Sequence, residues 1–243
     1  MEFPSRISPR VLDIPIIGKA LSDADKASAN GLGMILKRYP AHTIITREGD
    51  GEDRIFFVSS GWSCIYTDLL SGERQIIDFP AGGDVIGLRT RRSPSRVSFK
   101  SITELTVFEM AAKALTSASE HSPTLASRLL SVAARQRAIL IEHLTNIGRR
   151  SGAERVAHLL LEMGARQHYG QIANINAYEC PLTQHDLADA LGLTAIHVNR
   201  VLKELRQLGL LSFQHRIVEI LDLNEIINLT DFSLSYLKYD DFA

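Results

Sequence analysis

The chain has 243 residues, with 27 Lys and Arg against 28 Asp and Glu and a formal net charge of −1. That length suits two modest domains, and the balanced charge excludes a protein that holds nucleic acid through bulk positive charge. Two cysteines, Cys64 and Cys180, argue against a disulfide framework and against a four-cysteine iron–sulfur or zinc site within one chain.

The opening residues Met1-Glu2-Phe3-Pro4-Ser5-Arg6 do not read as a signal peptide, and no run approaches membrane-spanning length, so a cytoplasmic protein is expected. From about Ile35 to Met110 the pattern is of short strands. Ile44-Ile45-Thr46, Ile55-Phe56-Phe57-Val58, Cys64-Ile65-Tyr66 and Arg74 to Phe79 are separated by turns at Glu48-Gly49-Asp50-Gly51, Ser60-Gly61, Leu70-Ser71-Gly72-Glu73 and Pro80 to Gly83. Val97 to Phe108 closes the series with alternating apolar residues. Strands at this spacing predict an all-β barrel or jelly roll. Arg89, Arg91, Arg92 and Arg96 crowd one loop around Ser93-Pro94-Ser95. A solvated surface loop explains them; the alternative is an anion pocket.

From Pro123 to about Arg149 the period turns helical. Leu125, Leu129, Val132, Gln136, Ile139, His143 and Asn146 recur in steps of four and three, the seam of a coiled coil. A second stripe, Ala126, Leu130, Ala133, Leu140, Leu144 and Ile147, lies beside it. Two stripes imply two partners: the barrel, and a second copy of this helix. The first stripe, from Leu125 to His143, is assigned to the second copy. Ser151-Gly152 reads as a hinge, and Glu154 to Met163 as a further amphipathic helix with Val156, Leu159, Leu160 and Met163 inward.

Thr183 to Arg206 carries the clearest functional signal. Thr183 and Asp186 form a capping-box pattern, Gly192 stands where a turn favours a left-handed backbone, and Thr194 can cap a second helix. Val198, Val201, Leu202 and Leu205 follow the i, i+3, i+4, i+7 rule and should face the core. This is a helix-turn-helix, which places its second helix in the DNA major groove. Thr183, Gln184, Thr194, Ala195, Ile196, His197, Asn199, Arg200 and Lys203 are left outward as candidate DNA contacts. Arg matches guanine O6/N7, Asn matches adenine N6/N7, and Ala195 or Ile196 suits a thymine methyl group. Leu210 to Phe213 and Ile217 to Leu221 read as a β-hairpin with Gln214-His215-Arg216 at its tip, a wing whose His215 and Arg216 can reach phosphate. Cys180, just before these helices, reads as a packed thiol or, alternatively, a redox switch. The segment from Asn224 to Ala243 mixes apolar residues with acids and either packs on the winged helix or frays.

Barrel, long helix and winged helix-turn-helix, in that order, resemble the cyclic-AMP receptor and fumarate–nitrate regulator (Crp/Fnr) family of bacterial transcription factors. The likeness rests on Tyr39-Pro40, Glu48-Gly49, Val58 to Gly61, Pro80 to Gly87, Glu154 to Leu160 and Leu182 to Leu211. The fold it implies is α+β: a β-barrel (jelly-roll, cyclic-nucleotide-binding-like) domain over residues 1–122, a dimerisation helix over 123–150, and a winged helix-turn-helix domain with a C-terminal tail over 151–243. It also implies a homodimer on a palindromic operator. The departures matter. The Glu that meets a ribose in cyclic-nucleotide binders is replaced by Leu88, Arg96 stands only near the expected arginine, and the adenine-binding polar pair corresponds to Leu140 and Ile141. Cyclic AMP is therefore not the expected effector. The cysteine cluster of the oxygen-sensing branch is absent, and Cys64, His42 and His121 are the only candidates for haem ligation.

The expected function is a sequence-specific transcription regulator that binds double-stranded DNA as a homodimer and meets RNA polymerase, with no cofactor, metal or membrane. The alternatives are an altered nucleotide or anion pocket formed by Arg89, Arg91, Arg92, Arg96, Leu140 and Ile141, or redox control through Cys180. An enzyme built on the barrel would need several converging ligands or a nucleophile–base pair. The segment offers only His42 before His121, so no catalysis is expected.

Overall fold

The computed structural model describes residues 33–88, 93–121, 123–168 and 175–238. Strands β1 (Ile35–Tyr39), β8 (Leu105–Ala111), β3 (Arg54–Ser60) and β6 (Val85–Ile86) form one antiparallel sheet in that order. Strands β2 (Ile44–Thr46), β7 (Ser98–Ser101), β4 (Ser63–Asp68) and β5 (Arg74–Asp78) form a second. Phe56, Val58, Leu105 and Val107 of the first sheet meet Ile45 and Phe99 of the second, with the Phe56 and Phe99 rings 5.4 Å apart. The sheets face one another as a jelly roll and do not close into a barrel, which corrects that part of the sequence reading.

Strand β3 explains its own unbroken run of apolar residues. Successive side chains point to opposite faces. Phe56 and Val58 fill the space between the sheets, while Ile55 and Phe57 pack outward under two helices. Those helices are α1 (Ala112–His121) and α2 (Pro123–Arg149). A strand covered on both faces has no need to alternate.

Helix α2, about 40 Å long at 1.5 Å per residue, crosses the outer face of this sheet with Leu125 and Val132 buried in the same cluster and Leu129 packed against it. Ile139 continues the stripe into the main core. Gln136 donates to the Val85 carbonyl, and His143 Nδ1 lies 3.1 Å from the Ile77 carbonyl oxygen. The stripe assigned to a second copy is thus used up within its own chain. The outward stripe is the other one, with Leu130, Leu140 and Leu144 exposed alongside Ile141.

Helix α3 (Gly152–Gln167) starts from a capping box between Ser151 and Glu154. It is buried along every face from Val156 to Arg166, more completely than an amphipathic reading allows. It forms the centre of a core shared by Cys64, Tyr66 and Ile76 of the second sheet, by Phe79 just after β5, and by the winged helix-turn-helix beyond. That unit comprises β9 (Ala177–Glu179), α4 (Gln184–Leu191), α5 (Ala195–Gln207), β10 (Leu211–Gln214) and β11 (Ile217–Ile220), with sheet order β10-β11-β9. Helix α6 (Leu223–Thr230) and a single 3₁₀ turn (Ser235–Leu237) end the described chain. This segment packs rather than frays: Ile226, Phe232 and Leu237 are buried.

Candidate nucleic-acid interface

The local chemistry of the helix-turn-helix is as its residues dictate. Thr183 Oγ1 accepts from the Asp186 backbone N–H and the Asp186 carboxylate accepts from the Thr183 N–H, closing the capping box of α4. Gly192 ends that helix at φ 62°, a left-handed conformation that costs glycine least. Thr194 Oγ1 then accepts from the His197 N–H to start α5. Val198, Val201, Leu202 and Leu205 are buried, which fixes the rotation of α5 about its axis.

That rotation decides what is offered to a ligand. Ile196 is 85% exposed at the start of α5, and Asn199, Arg200 and Lys203 are also exposed. Thr183 and Thr194 are exposed at the two helix starts, while Gln184 and Ala195 are half-buried. Asn199 Nδ2 donates to Gln184 Oε1 at 3.2 Å, so the two helices share one polar surface. His197 does not point outward as expected. Its ring lies against Gly152, and its Nε2 stands 3.2 Å from Arg200 Nη2.

The wing tip is unusual. His215 and Arg216 both have positive φ, 50° and 63°, although neither is glycine. A two-residue hairpin of type I′ requires positive φ at both central positions, which favours Asn and Gly. Left-handed non-glycine residues cost of order 1 kcal/mol each and mark functional positions more often than chance. Both side chains are exposed at the tip.

The winged helix is fastened to the sheets by charge. Arg74 of β5 donates to Asp189 Oδ2 at 2.6 Å and to Asp186 Oδ1 at 3.0 Å, both on α4. Deeper in, Arg166 of α3 meets Asp84 at 2.5 Å, Asp78 at 2.6 Å and Glu162 at 3.2 Å. Arg135 of α2 also meets Asp84 and donates to the Leu237 carbonyl at 2.7 Å. Tyr236 donates to Glu162 at 2.9 Å. Both ring nitrogens of His143 face acceptors, Ile77 O and Glu162. Burial alone would lower the His143 pKa, but Glu162 raises it to about 9, so the ring is cationic at neutral pH. Burial would raise Glu162, yet His143 and Arg166 hold it at about 2. Burial would likewise raise Asp84, and Arg166 and Arg135 keep it below its usual value.

Asp78, His143 and Glu162 place ligand atoms within 4.8 Å of one another, a spacing that a metal ion could use. The position is already balanced. The three carboxylates Asp78, Asp84 and Glu162 face the three cations Arg135, His143 and Arg166. A metal would have to displace the Arg166 guanidinium and deprotonate His143. This cluster joins residues far apart in sequence, and only the Glu162–Arg166 spacing of i, i+4 hints at it.

The sandwich carries a cavity of about 380 Å³ lined by Arg54, Asp78, Asp84, Leu88, Arg96, Gln136 and Leu140, among others. Arg96 and Leu140 therefore stand where the sequence reading placed a ligand pocket. Ile141, expected beside them, is turned out to solvent. Arg89, Arg91 and Arg92 lie outside the described residues. Arg54 was missed by sequence reasoning, because a lone arginine opening an apolar strand carries no signal of its own. Cys180 is fully buried, and burial pushes its thiol up to about 12. Oxidation runs through an accessible thiolate, so this geometry argues against a redox switch there. Cys64 is buried as well, and His42 is exposed.

Residues 154–229 match the Crp-like helix-turn-helix domain, and residues 36–122 match the cyclic nucleotide-binding domain. The nitrogen fixation regulation protein FixK of Rhizobium meliloti is 31% identical over 170 residues, 70% of this chain and 74% of that protein. FixK of Bradyrhizobium diazoefficiens is 28% identical over 204 residues, 84% of each chain. The structure of FixK2 from Bradyrhizobium japonicum superposes with a TM-score of 0.74 at 28% identity, covering 83% of this chain and 100% of that one. These relatives are transcription regulators, not enzymes. By its two domain matches, by these relatives and by its capped helix-turn-helix behind a jelly roll, the chain belongs to the Crp/Fnr family of DNA-binding transcription regulators.

Proposed function

We propose that two copies of the chain bind a palindromic operator, each laying α5 in the major groove of one half-site about one helical turn from the other. The observation that carries this reading is the exposed face of Ile196, Asn199, Arg200 and Lys203 on a helix whose opposite face is locked in the core. Arg200 and Asn199 read polar base edges and Ile196 or Ala195 meets a thymine methyl group. Thr183, Gln184, Thr194, His215 and Arg216 position the protein on phosphates. The copies pair through the outward stripe of α2, Leu130, Leu140, Ile141 and Leu144. Residues 1–122, 123–150 and 151–243 serve as sensor, dimer helix and DNA-binding domain of a cytoplasmic regulator that works with RNA polymerase. The name of its FixK relatives makes nitrogen-fixation genes the first place to seek operators.

A second reading is favoured by the cavity in the sandwich. Leu88 and Leu140 line it where the family resemblance places polar groups in cyclic-nucleotide binders. Arg96 and Arg54 supply positive charge, although Arg54 is paired with Glu52 at 2.6 Å and the carboxylates of Asp78 and Asp84, which also line the cavity, are paired with Arg166. Arg96 is the side chain through which such a cavity would hold a small anionic effector other than cyclic AMP. Selection of binding sites from random duplex DNA with ligand-free protein tests both readings. A recovered palindrome supports the dimeric operator reading without an effector. An unenriched pool that becomes enriched when a small anion is added supports the ligand-gated one. A pool that stays unenriched under every condition, with protein that is folded, overturns the base-reading assignment.

A further inference from the structure

His197 occupies a position from which a side chain could reach DNA, yet it is folded back. A Cβ built on Gly152 would stand 2.7 Å from His197 Nε2, 3.3 Å from Cε1 and 3.5 Å from Cδ2. The ring therefore rests on the first residue of α3, just after the joint with α2. The same Nε2 lies 3.2 Å from Arg200 Nη2, one helical turn on. A guanidinium only donates, so Nε2 accepts and the proton sits on Nδ1. Asn199, by contrast, is tied to Gln184 and not to this pair.

We propose that His197 is a positioning residue that reads no base itself. It holds Arg200 in the conformation that meets a base edge, and its own place is set by Gly152. Ordering a long arginine before binding removes part of the cost of ordering it on DNA. Because the support comes from the α2–α3 joint, rotation at Ser151-Gly152 is passed to a base-reading side chain without any change inside the helix-turn-helix. The proposal rests on the reading that Arg200 meets a base.

The test is competition binding by the full-length protein to operators carrying every single base-pair change, with a thermal melt of each variant. Arg200→Ala should lose discrimination at one base pair per half-site, by roughly 5- to 100-fold. His197→Ala should lose about three- to tenfold at that same base pair and no other. The double variant should be no worse than Arg200→Ala alone. His197→Gln, whose amide oxygen can accept from Arg200, should restore discrimination. Gly152→Ala keeps the histidine but brings a methyl group within 2.7 Å of its Nε2, which displaces the ring, so it should reproduce His197→Ala. An effect of His197→Ala at a different base pair would make it a direct reader and overturn the proposal. Additivity with Arg200→Ala, or a uniform loss at all positions together with a lowered melting temperature, would overturn it too. If Arg200→Ala changes no base pair, the base-reading role of Arg200 falls, and the proposal with it. An effective Arg200→Ala beside a silent His197→Ala sinks the proposal alone.

Discussion

Arg74 at the start of β5 holds Asp189 of α4 at 2.6 Å, so the first helix of the helix-turn-helix is docked on the edge strand of the jelly-roll sandwich. The same guanidinium reaches Asp186 at 3.0 Å, the residue that closes the capping box of α4. Strand β5 and helix α4 thus share one charge cluster.

Removing that link has a local signature. All three side chains are partly solvated, so solvent screens the pairing and Arg74→Ala should cost only about 0.5–2 kcal/mol of stability. The larger effect is on opening. Hydrogen exchange of the α4 amides should quicken in the variant, while exchange in β3 and β8 stays as before. Unchanged exchange in α4 would show that apolar packing alone holds the docked arrangement.

The pair His143–Glu162 makes stability depend on pH in two directions. The folded-state pKa of His143 is raised from 6.5 to about 9, so its contribution is complete below about 6.5 and is lost as pH climbs through 9. That of Glu162 is lowered from 4.5 to about 2, so its contribution is complete above about 4.5 and is lost as pH falls through 2. The two windows overlap between about 4.5 and 6.5. Burial lowers the His158 pKa from 6.5 to about 4, so stability falls across that interval as pH drops. Denaturant titrations should therefore give a maximum near pH 6.5 with a decline from 6.5 to 9. His143→Gln keeps a donor toward Glu162 but cannot titrate, and it should abolish the alkaline decline. A decline that persists in the variant would assign it to other groups.

What could be read from the sequence follows from how local each feature is. The helix-turn-helix is written in consecutive residues: Thr183, Gly192 and Thr194 set its caps and turn, and Val198 to Leu205 set its rotation. The strands were legible from their turns, but which strands share a sheet is decided by pairings such as Leu36 with Phe108, between residues far apart in the chain. The long helix shows why a period does not name a partner. Gln136 and His143 looked like polar positions in a coiled-coil seam. They are polar because Val85, Ile77 and Glu162 of the same chain need them. The cluster around Arg166 was invisible because its carboxylates Asp78 and Asp84 come from the sheet region and Arg135 and His143 from α2. The tail was undecided because Tyr236 and Leu237 find their partners only when α2 and α3 are already together.

The two faces of α2 lead to opposite outcomes for the same kind of substitution. Leu144 is 72% exposed on the outward stripe, whereas Ile139 is 1% exposed inside the chain's own core. Leu144→Glu should leave the fold and melting temperature of the protomer intact and halve the mass seen in sedimentation. Ile139→Glu buries an unpaired charge and should unfold the protomer, costing several kcal/mol. A Leu144→Glu protein that keeps the mass of the unmodified chain would place the contact between copies elsewhere.

The wing tip sets stability against DNA affinity. His215 and Arg216 sit in left-handed backbone where Asn-Gly would rest without strain. Replacing the pair by Asn-Gly should raise stability to urea by about 1–2 kcal/mol, since each left-handed non-glycine residue costs of that order. The same change removes the Arg216 cation. Affinity for the operator should fall and the salt dependence of log K should lose about one unit of slope per phosphate contact removed, with base preferences unchanged. The separation is informative, because a phosphate contact carries affinity but no sequence information. A stabilised variant with an unaltered salt slope would mean that the strained tip touches no phosphate, and its backbone would then need another explanation, such as contact with a second protein bound beside it on the DNA.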